Sequence, residues 1–169
     1  MVHTGGLRAE ALDDHHDRRA FESGVEALDR YFRSLAGQDT RRRVATCFVL
    51  IEGETDRPVG YYTLAATGIA LTDLPGAVAR KLPRYPVIPA TLMGRLAMDR
   101  EHRGRGLGEL LMLDAFSRAL RSEITSYAFV VDAKDKGAAA FYAHYGFITL
   151  TEESRRLFLP MAEIAKIFA

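Results

Sequence analysis

Apolar and polar positions change their spacing along the chain in a way that predicts strands and helices in alternation. The elements predicted in the first half are a strand at 7–12, a helix at 24–36 and an antiparallel strand pair at 44–51 and 59–64. Ser23 and Glu26 have the spacing of a capping box at the start of the helix. Four prolines between residues 73 and 90 leave room there for one short helix at most.

The second half continues the alternation. The predicted elements are a strand at 91–98, a helix at 107–121, a strand at 127–131, a helix at 138–145, strands at 147–150 and 157–159, and a helix at 161–168. Gly146 is placed to end the 138–145 helix. The 107–121 helix should be largely buried, with one polar side formed by Asp114, Ser117, Arg118 and Arg121. This order predicts an α/β fold with a mixed, mostly antiparallel central sheet flanked by helices.

Length and composition favour one packed domain over residues 1–169, because 169 residues with 48% hydrophobic and 27% charged side chains are typical of a globular unit. No apolar run approaches the ~20 residues that cross a bilayer, and the N-terminus lacks the pattern of a signal peptide. We therefore expect a cytoplasmic protein without membrane contact. The single Cys47 lies in an apolar strand and is predicted to be a core residue rather than a nucleophile.

A metal site is not expected. His15 and His16, with Asp13, Asp14 and Asp17 around them, could hold a metal at the surface. Five polar residues at a chain entry are more often a solvated loop, and that is the interpretation adopted.

Charge is unevenly placed, although the net charge is only +1. Residues 80–105 contain seven basic side chains and only two acidic ones. A second basic cluster, three arginines at 41–43, follows Arg33. Such local excess suggests an anionic ligand without requiring one, and solvated surface is the alternative.

A glycine-rich loop stands between the 91–98 strand and the 107–121 helix. Its residues are Arg103, Gly104, Arg105, Gly106, Leu107 and Gly108. Glycines at the start of a helix let backbone N–H groups approach a phosphate at the positive end of the helix dipole. The loop lacks the Lys-Ser/Thr ending of a P-loop and the third glycine of a dinucleotide-binding loop, which disfavours an ATPase and an NAD enzyme.

Two motifs resemble the GNAT N-acetyltransferase superfamily. Arg103-x-x-Gly106-x-Gly108 is similar to its acyl-CoA pyrophosphate loop, and the stretch 141–147 is similar to its Tyr-x-x-x-Gly-Phe motif. The resemblance implies the GNAT fold and acetyl-CoA as cosubstrate. It also implies a cofactor site formed by Leu96, Ala97, Met98, Arg103, Gly104, Arg105, Gly106, Leu107, Gly108, Phe141 and Tyr142.

Further stretches, at 21–29, 38–43, 94–99, 131–135 and 156–161, resemble the GNAT toxins of type II toxin-antitoxin pairs, which acetylate aminoacyl-tRNA. This resemblance implies aminoacyl-tRNA as substrate, a small ribbon-helix-helix antitoxin and a homodimer. Two departures are Ser23, where the branch often has Cys, and Asp135, where many GNAT enzymes have Asn. The basic residues left for RNA are Arg33, Arg41, Arg42, Arg43, Arg84 and Arg95.

Acetyl transfer from a thioester to an amine needs a neutral amine, a stabilised oxyanion and a proton for the leaving thiolate. The resemblance implies the Met98 backbone N–H at the thioester carbonyl. Tyr142 is predicted as general acid because a phenol of pKa ~10 is protonated at neutral pH. Tyr145 is the rival phenol, His144 should point elsewhere, and no general base is assigned. The open alternatives are acetylation of a small amine or protein N-terminus, and a non-catalytic nucleic-acid or partner-binding module.

Overall fold

The computed structural model describes residues 3–4, 6–151 and 154–169. The strands are β1 (His3–Thr4), β2 (Leu7–Ala11), β3 (Thr46–Glu52), β4 (Pro58–Ala70), β5 (Val87–Met98), β6 (Ala128–Asp132), β7 (Ile148–Thr149) and β8 (Arg156–Pro160). The α-helices are α1 (Glu26–Arg30), α2 (Ala36–Arg41), α3 (Gly76–Ala79), α4 (Leu107–Arg121), α5 (Lys136–His144) and α6 (Met161–Ile167). A π-helical turn, Tyr31–Leu35, joins α1 to α2. No helix in the described part of the chain is long and apolar enough to cross a membrane.

The strands form a mixed sheet, as predicted, and their order in it is β1-β2-β3-β4-β5-β6-β8-β7. The β5–β6 pair is parallel, from Ala90 opposite Ala128 to Met93 opposite Val131. The pairs β1–β2, β2–β3, β3–β4, β6–β8 and β7–β8 are antiparallel. Strand β5 continues beyond this register to Met98.

The chain forms two compact units, Met1–Ala65 with Gly94–Ser117, and Ala66–Met93 with Arg118–Ala169. The core of the first unit contains Phe21, Tyr31, Phe32, Ala36, Cys47, Val49, Ile51, Tyr61 and Ala97. Phe32 stacks on Tyr61 with ring centroids 4.2 Å apart. Cys47 is 1% exposed, and burial raises the pKa of its thiol to about 12, which confirms it as a core residue. The prediction of a single domain stays a prediction.

The second unit has its own core, formed by Ile69, Leu74, Ile88, Ala90, Ala128, Val130 and Phe158. A Cβ at Gly68 of β4 would overlap the Val87 side chain of β5. A side chain at position 68 would therefore require the exposed Val87 side chain to shift.

Two sequence predictions about side-chain roles are wrong. Val25, rather than Ser23, occupies the N-cap position of α1, and no side-chain hydrogen bond caps the helix. The Ser23 hydroxyl donates instead to Asp29 at 2.6 Å. Asp114 does not lie on a solvated side of α4. It is fully buried and accepts a hydrogen bond of 2.6 Å from the Tyr62 hydroxyl.

Two predicted boundaries also differ from the structure. The helix predicted at 24–36 continues through the π-helical turn to Arg41. Strand β5 begins at Val87, inside the proline-rich stretch that was expected to hold one short helix at most. That stretch does contain α3, preceded by a 3-10 turn at Leu71–Asp73.

Candidate functional site

The glycine-rich loop has the backbone geometry that an anion site requires. Gly104 and Gly106 have φ values of +79° and +74°, a left-handed conformation that glycine adopts without strain. A Cβ at either position, or at Gly108, would meet no atom within 4 Å, so the space above the loop is open. The first N–H groups of α4 have no acceptor within the helix. The loop therefore presents helix N-terminal donors to an open space, as an anion-binding turn does.

Both loop arginines contact protein groups. Arg103 donates from Nη2 to the Ser23 carbonyl, and a Cβ at Gly24 would lie 2.8 Å from that nitrogen. Arg105 forms a two-bond ion pair with Glu52, which lowers the pKa of that carboxyl. A phosphate that recruited either guanidinium would have to compete with these partners.

Residues 22–24, which precede α1, are bonded to the glycine-rich loop and to the residues just before it, and we call them the 22–24 strap. The Glu22 N–H donates to Asp99 Oδ2 at 3.1 Å, and the Glu22 carbonyl accepts from the Arg100 N–H at 2.9 Å. The Glu22 carboxylate pairs with Arg100 at 3.2 Å. The strap itself is anchored by buried Asp29, which accepts from the Ser23 N–H at 2.9 Å.

These anchors were missed at the sequence level. The signal that could have found Asp29 is its position, because it lies on the apolar stripe of the predicted helix, four residues after Val25 and three before Phe32. A carboxylate on such a stripe needs a buried partner. Nothing in the sequence indicated that the partner would be Ser23, or that Arg103 would reach the same residue.

The arginines predicted to contact RNA occupy different positions. Arg33 is exposed on the π-helical turn, Arg41 and Arg42 are exposed at the end of α2, and Arg43 follows with φ +60°. Arg84 is exposed in the second unit, before β5. Arg95 is partly buried on β5 in the first unit.

Arg95 lies flat on an aromatic ring that the sequence predicted only as core. Its guanidinium carbon is 3.5 Å from the centroid of Tyr31. The Tyr31 hydroxyl donates to Asp39 at 2.8 Å. Burial and this bond raise the pKa of Tyr31, while the Arg95 charge opposes the shift. The tyrosine therefore stays neutral beneath the cation.

Tyr142 is held inside the second unit on α5. It is 6% exposed, and its ring centroid lies 5.3 Å from that of Phe141 and 5.5 Å from that of Phe147. Burial, with a smaller contribution from the Asp132 carboxylate, raises the pKa of its phenol to about 12. Tyr142 can therefore hold a proton at any physiological pH.

The helix that carries Tyr142 is fixed at both ends. Asp135 caps α5 by accepting from the Ala138 N–H at 2.8 Å. Gly146 follows the helix with φ +96°, which confirms the prediction that this glycine ends it. The other predicted cofactor residues lie in the first unit on β5, where Ala97 is buried and Leu96 and Met98 are half-buried.

The histidine cluster is better explained by hydrogen bonding than by metal binding. Ligand atoms of Glu10, His15 and His16 lie within 4.8 Å of one another. Nδ1 of His16 accepts from the Asp13 N–H at 2.9 Å, so Nε2 carries the proton and donates to Glu10 at 2.8 Å. A metal ligand would need Nε2 unprotonated. The solvated-loop prediction is wrong for His16, which is buried.

The chain is similar in sequence and in fold to known acetyltransferases. A model of the acetyltransferase (GNAT) domain family matches residues 43–149. The tRNA-acetylating toxin of Mycobacterium tuberculosis (strain ATCC 25618 / H37Rv) is 36% identical over 154 residues, which are 90% of each chain. The crystal structure of a tyrosine-to-phenylalanine mutant of KacT has a TM-score of 0.90 at 30% identity, covering 96% of this chain and 99% of KacT.

A third relative, AtaT, has been solved with its ligands. Its complex with acetyl-methionyl-tRNAfMet has a TM-score of 0.86 at 30% identity, covering 96% of this chain and 99% of AtaT. A mutant AtaT was also solved with acetyl-CoA and the C-terminus of the antitoxin AtaR, with a TM-score of 0.81 at 26% identity over 97% of this chain and 99% of AtaT. These likenesses confirm the predicted fold class and the resemblance to tRNA-acetylating toxins.

Proposed function

The chain belongs to the GNAT acetyltransferase family, and we propose that it acetylates the α-amino group of aminoacyl-tRNA and thereby blocks translation. The observation that carries the proposal is the 36% identity to a tRNA-acetylating toxin over 90% of both chains. The structure of AtaT in complex with acetyl-methionyl-tRNAfMet supports the same class of substrate.

Acetyl-CoA is the proposed acetyl donor, in keeping with its presence in a solved AtaT complex. The open, left-handed glycines of the 103–108 loop fit its pyrophosphate, because a Cβ at Gly104, Gly106 or Gly108 would occupy that space. The residues proposed to hold it are Leu96, Ala97, Met98, Arg103, Gly104, Arg105, Gly106, Leu107, Gly108, Phe141 and Tyr142. When bound, it supplies an acetyl group activated as a thioester.

Groups of the chain itself are proposed to stabilise the developing oxyanion and to protonate the departing sulfur. The Met98 N–H donates to the carbonyl oxygen as negative charge develops there. Tyr142 holds the proton that the departing sulfur needs, and its raised pKa keeps that proton in place until transfer. The α-amino group of an aminoacyl ester is less basic than a lysine side chain, and no residue is assigned as the general base that removes its proton.

Recognition of RNA is proposed to rest on the basic residues outside the cofactor loop. They are Arg33, Arg41, Arg42, Arg43, Arg84 and Arg95. A polyanion requires such side chains, whereas a polyamine site would be lined by carboxylates. AtaT was solved with the C-terminus of the antitoxin AtaR, and by analogy we propose that this chain has an antitoxin partner. From the resemblance of the sequence to GNAT toxins, we also propose that the antitoxin is a small ribbon-helix-helix protein and that the chain forms a homodimer.

The deciding experiment is mass spectrometry of a mixture of charged tRNAs after incubation with the protein and acetyl-CoA. We expect an acetyl group on the esterified amino acid, with little acetylation of spermidine or of a peptide N-terminus. Rapid acetylation of spermidine without acetylated tRNA would contradict the substrate while leaving the acetyltransferase activity in place.

Charge reversal tests the RNA contacts. Arg42→Glu and Arg95→Glu should raise KM for charged tRNA about tenfold or more and leave KM for acetyl-CoA unchanged. Lys166→Glu, on α6, makes the same change in charge and serves as the control. Wild-type KM should rise steeply between about 50 and 200 mM salt.

A further inference from the structure

Arg95 has no carboxylate partner in the part of the chain that the structure describes. Its side chain is partly buried, and one face of its guanidinium is covered by the Tyr31 ring at 3.5 Å. Among the described residues, no carboxylate lies within ion-pair distance of it and no oxygen accepts from it. A guanidinium carries five N–H donors, and donors left unbonded away from water cost free energy. The site therefore has donors in place for a ligand outside the protein.

Tyr31, the ring on which the guanidinium lies, is fixed by burial and by a hydrogen bond. The residue is 4% exposed, and its hydroxyl donates to Asp39 on α2. The ring of Tyr61 lies nearly parallel to it, with centroids 6.4 Å apart. A flexible arginine on such a surface keeps fewer orientations than it would in water.

Stacking on Tyr31 also defines which groups of Arg95 remain for a ligand. The ring takes one face of the plane and leaves the N–H edges, which match the paired oxygens of a phosphate. A nucleobase stacked on the other face would leave those N–H donors unbonded. The arrangement therefore favours a phosphate over a base.

We propose that Tyr31, fixed by Asp39, is a positioning residue that holds Arg95 flat so that its N–H edge binds a backbone phosphate of the RNA substrate. The proposal rests on the proposed function, because the phosphate belongs to the tRNA that is acetylated. Tyr31 itself touches neither substrate nor cofactor in this scheme.

The first test compares variants of the pair with charged tRNA as substrate. Tyr31→Leu removes the ring and should raise KM for tRNA about tenfold, lower the salt slope by about one, and change KM for acetyl-CoA less than twofold. Arg95→Lys keeps the charge but loses the planar fork, and should also raise KM for tRNA. Tyr31→Phe keeps the ring and loses only the bond to Asp39, so a smaller rise is expected.

The second test separates positioning from a structural role of this buried ring. In an Arg95→Ala background, Tyr31→Leu should change KM for tRNA less than about twofold, because nothing remains to position. An equal rise in both backgrounds, or no rise in the wild-type background, would overturn the proposal. Should Tyr31→Leu fail to fold, Asp39→Asn in the two backgrounds gives the same comparison.

Failure of the proposed function is distinguishable from failure of this inference. Wild-type protein that leaves charged tRNA unacetylated contradicts the function. Fluorescence anisotropy with uncharged tRNA then measures the positioning directly. We expect weaker binding by Tyr31→Leu in the wild-type background and equal binding in the Arg95→Ala background, and any other pattern refutes the role of Tyr31.

Discussion

Among single residues, Tyr142 combines burial with a proton that it does not lose at physiological pH. Tyr142→Phe keeps the ring between Phe141 and Phe147 and removes the proton donor alone. We expect turnover to fall by ~10²-fold or more with KM for acetyl-CoA nearly unchanged, measured by steady-state kinetics. Tyr145→Phe is the matched control and should retain turnover. If Tyr142→Phe stays within about threefold of wild type, the residue serves packing only.

The loop glycines differ in a way that separates backbone strain from ligand exclusion. Gly106 has a positive φ and Gly108 does not, yet both face open space. Gly108→Ala therefore leaves the folded loop unstrained, and its methyl should still weaken acetyl-CoA binding about tenfold or more by occupying the phosphate position. Gly106→Val should abolish binding, through both its side chain and strain.

Isothermal titration with acetyl-CoA measures both loop variants. Gly53→Ala is the control, because Gly53 has φ +72° in open space at a different turn. Wild-type affinity in folded Gly108→Ala and Gly106→Val would exclude this loop as the cofactor site.

Among the secondary-structure elements, strongly periodic segments were predicted well and those that depend on distant partners were not. The α4 helix was predicted at its observed bounds because its apolar faces and the glycine before it are local signals. Strand β4 continues to Ala70, beyond the predicted end at residue 64, and residues 65–68 are two alanines, a threonine and a glycine that carry no period-two pattern of apolar side chains. The π-helical turn depends on tertiary contacts, such as the bond of 2.6 Å from Arg18 to the Phe32 carbonyl.

The candidate site shows the same division. The glycine spacing of the loop and the tyrosine of α5 are local motifs, so the sequence was enough to propose them. The contact between Arg103 and Ser23 joins residues 80 positions apart, and the stacking of Arg95 on Tyr31 joins a strand to a helical turn. No local pattern encodes such contacts.

The C-terminus of α2 offers a test of backbone strain. The Val44 N–H donates to the Asp39 carbonyl and the Arg43 N–H to the Thr40 carbonyl, which is the Schellman arrangement. Arg43 occupies its left-handed position with φ +60°, where glycine is preferred. Arg43→Gly should raise the free energy of unfolding by about 1 kcal/mol in urea denaturation. Arg42→Gly, at a right-handed position, should lower it, and a stabilised Arg42→Gly would contradict the explanation.

For the molecule as a whole, buried weak acids determine how stability responds to alkali. Burial raises the pKa of Cys47 and Tyr142 to about 12 and also raises that of Tyr31 and Tyr61. Below about pH 8.5 these groups are protonated in both folded and unfolded chains. Above it, the unfolded chain loses protons that the folded chain keeps, so the free energy of unfolding falls as pH rises.

Urea denaturation between pH 8 and 10.5 measures this dependence. The slope should become steeper above pH 10, where unfolded tyrosines ionise, and Tyr142→Phe should reduce it by up to one proton. A flat profile to pH 10.5 would contradict the buried, protonated state of these side chains.

The contacts of the 22–24 strap should also limit the rate at which a protease cleaves the glycine-rich loop. Trypsin cuts after arginine, and Arg100, Arg103 and Arg105 stand exposed in the loop that the strap holds. Cleavage requires the loop to open locally, so its rate reports the strength of the anchors. Gly24→Ala, whose methyl would crowd Arg103, should speed cleavage after Arg103 and Arg105, while Gly53→Ala should not. Mass spectrometry of the early fragments identifies the bond that is cut. Faster cleavage in the loop would show that the contact with Ser23, 80 positions upstream of Arg103, has been weakened.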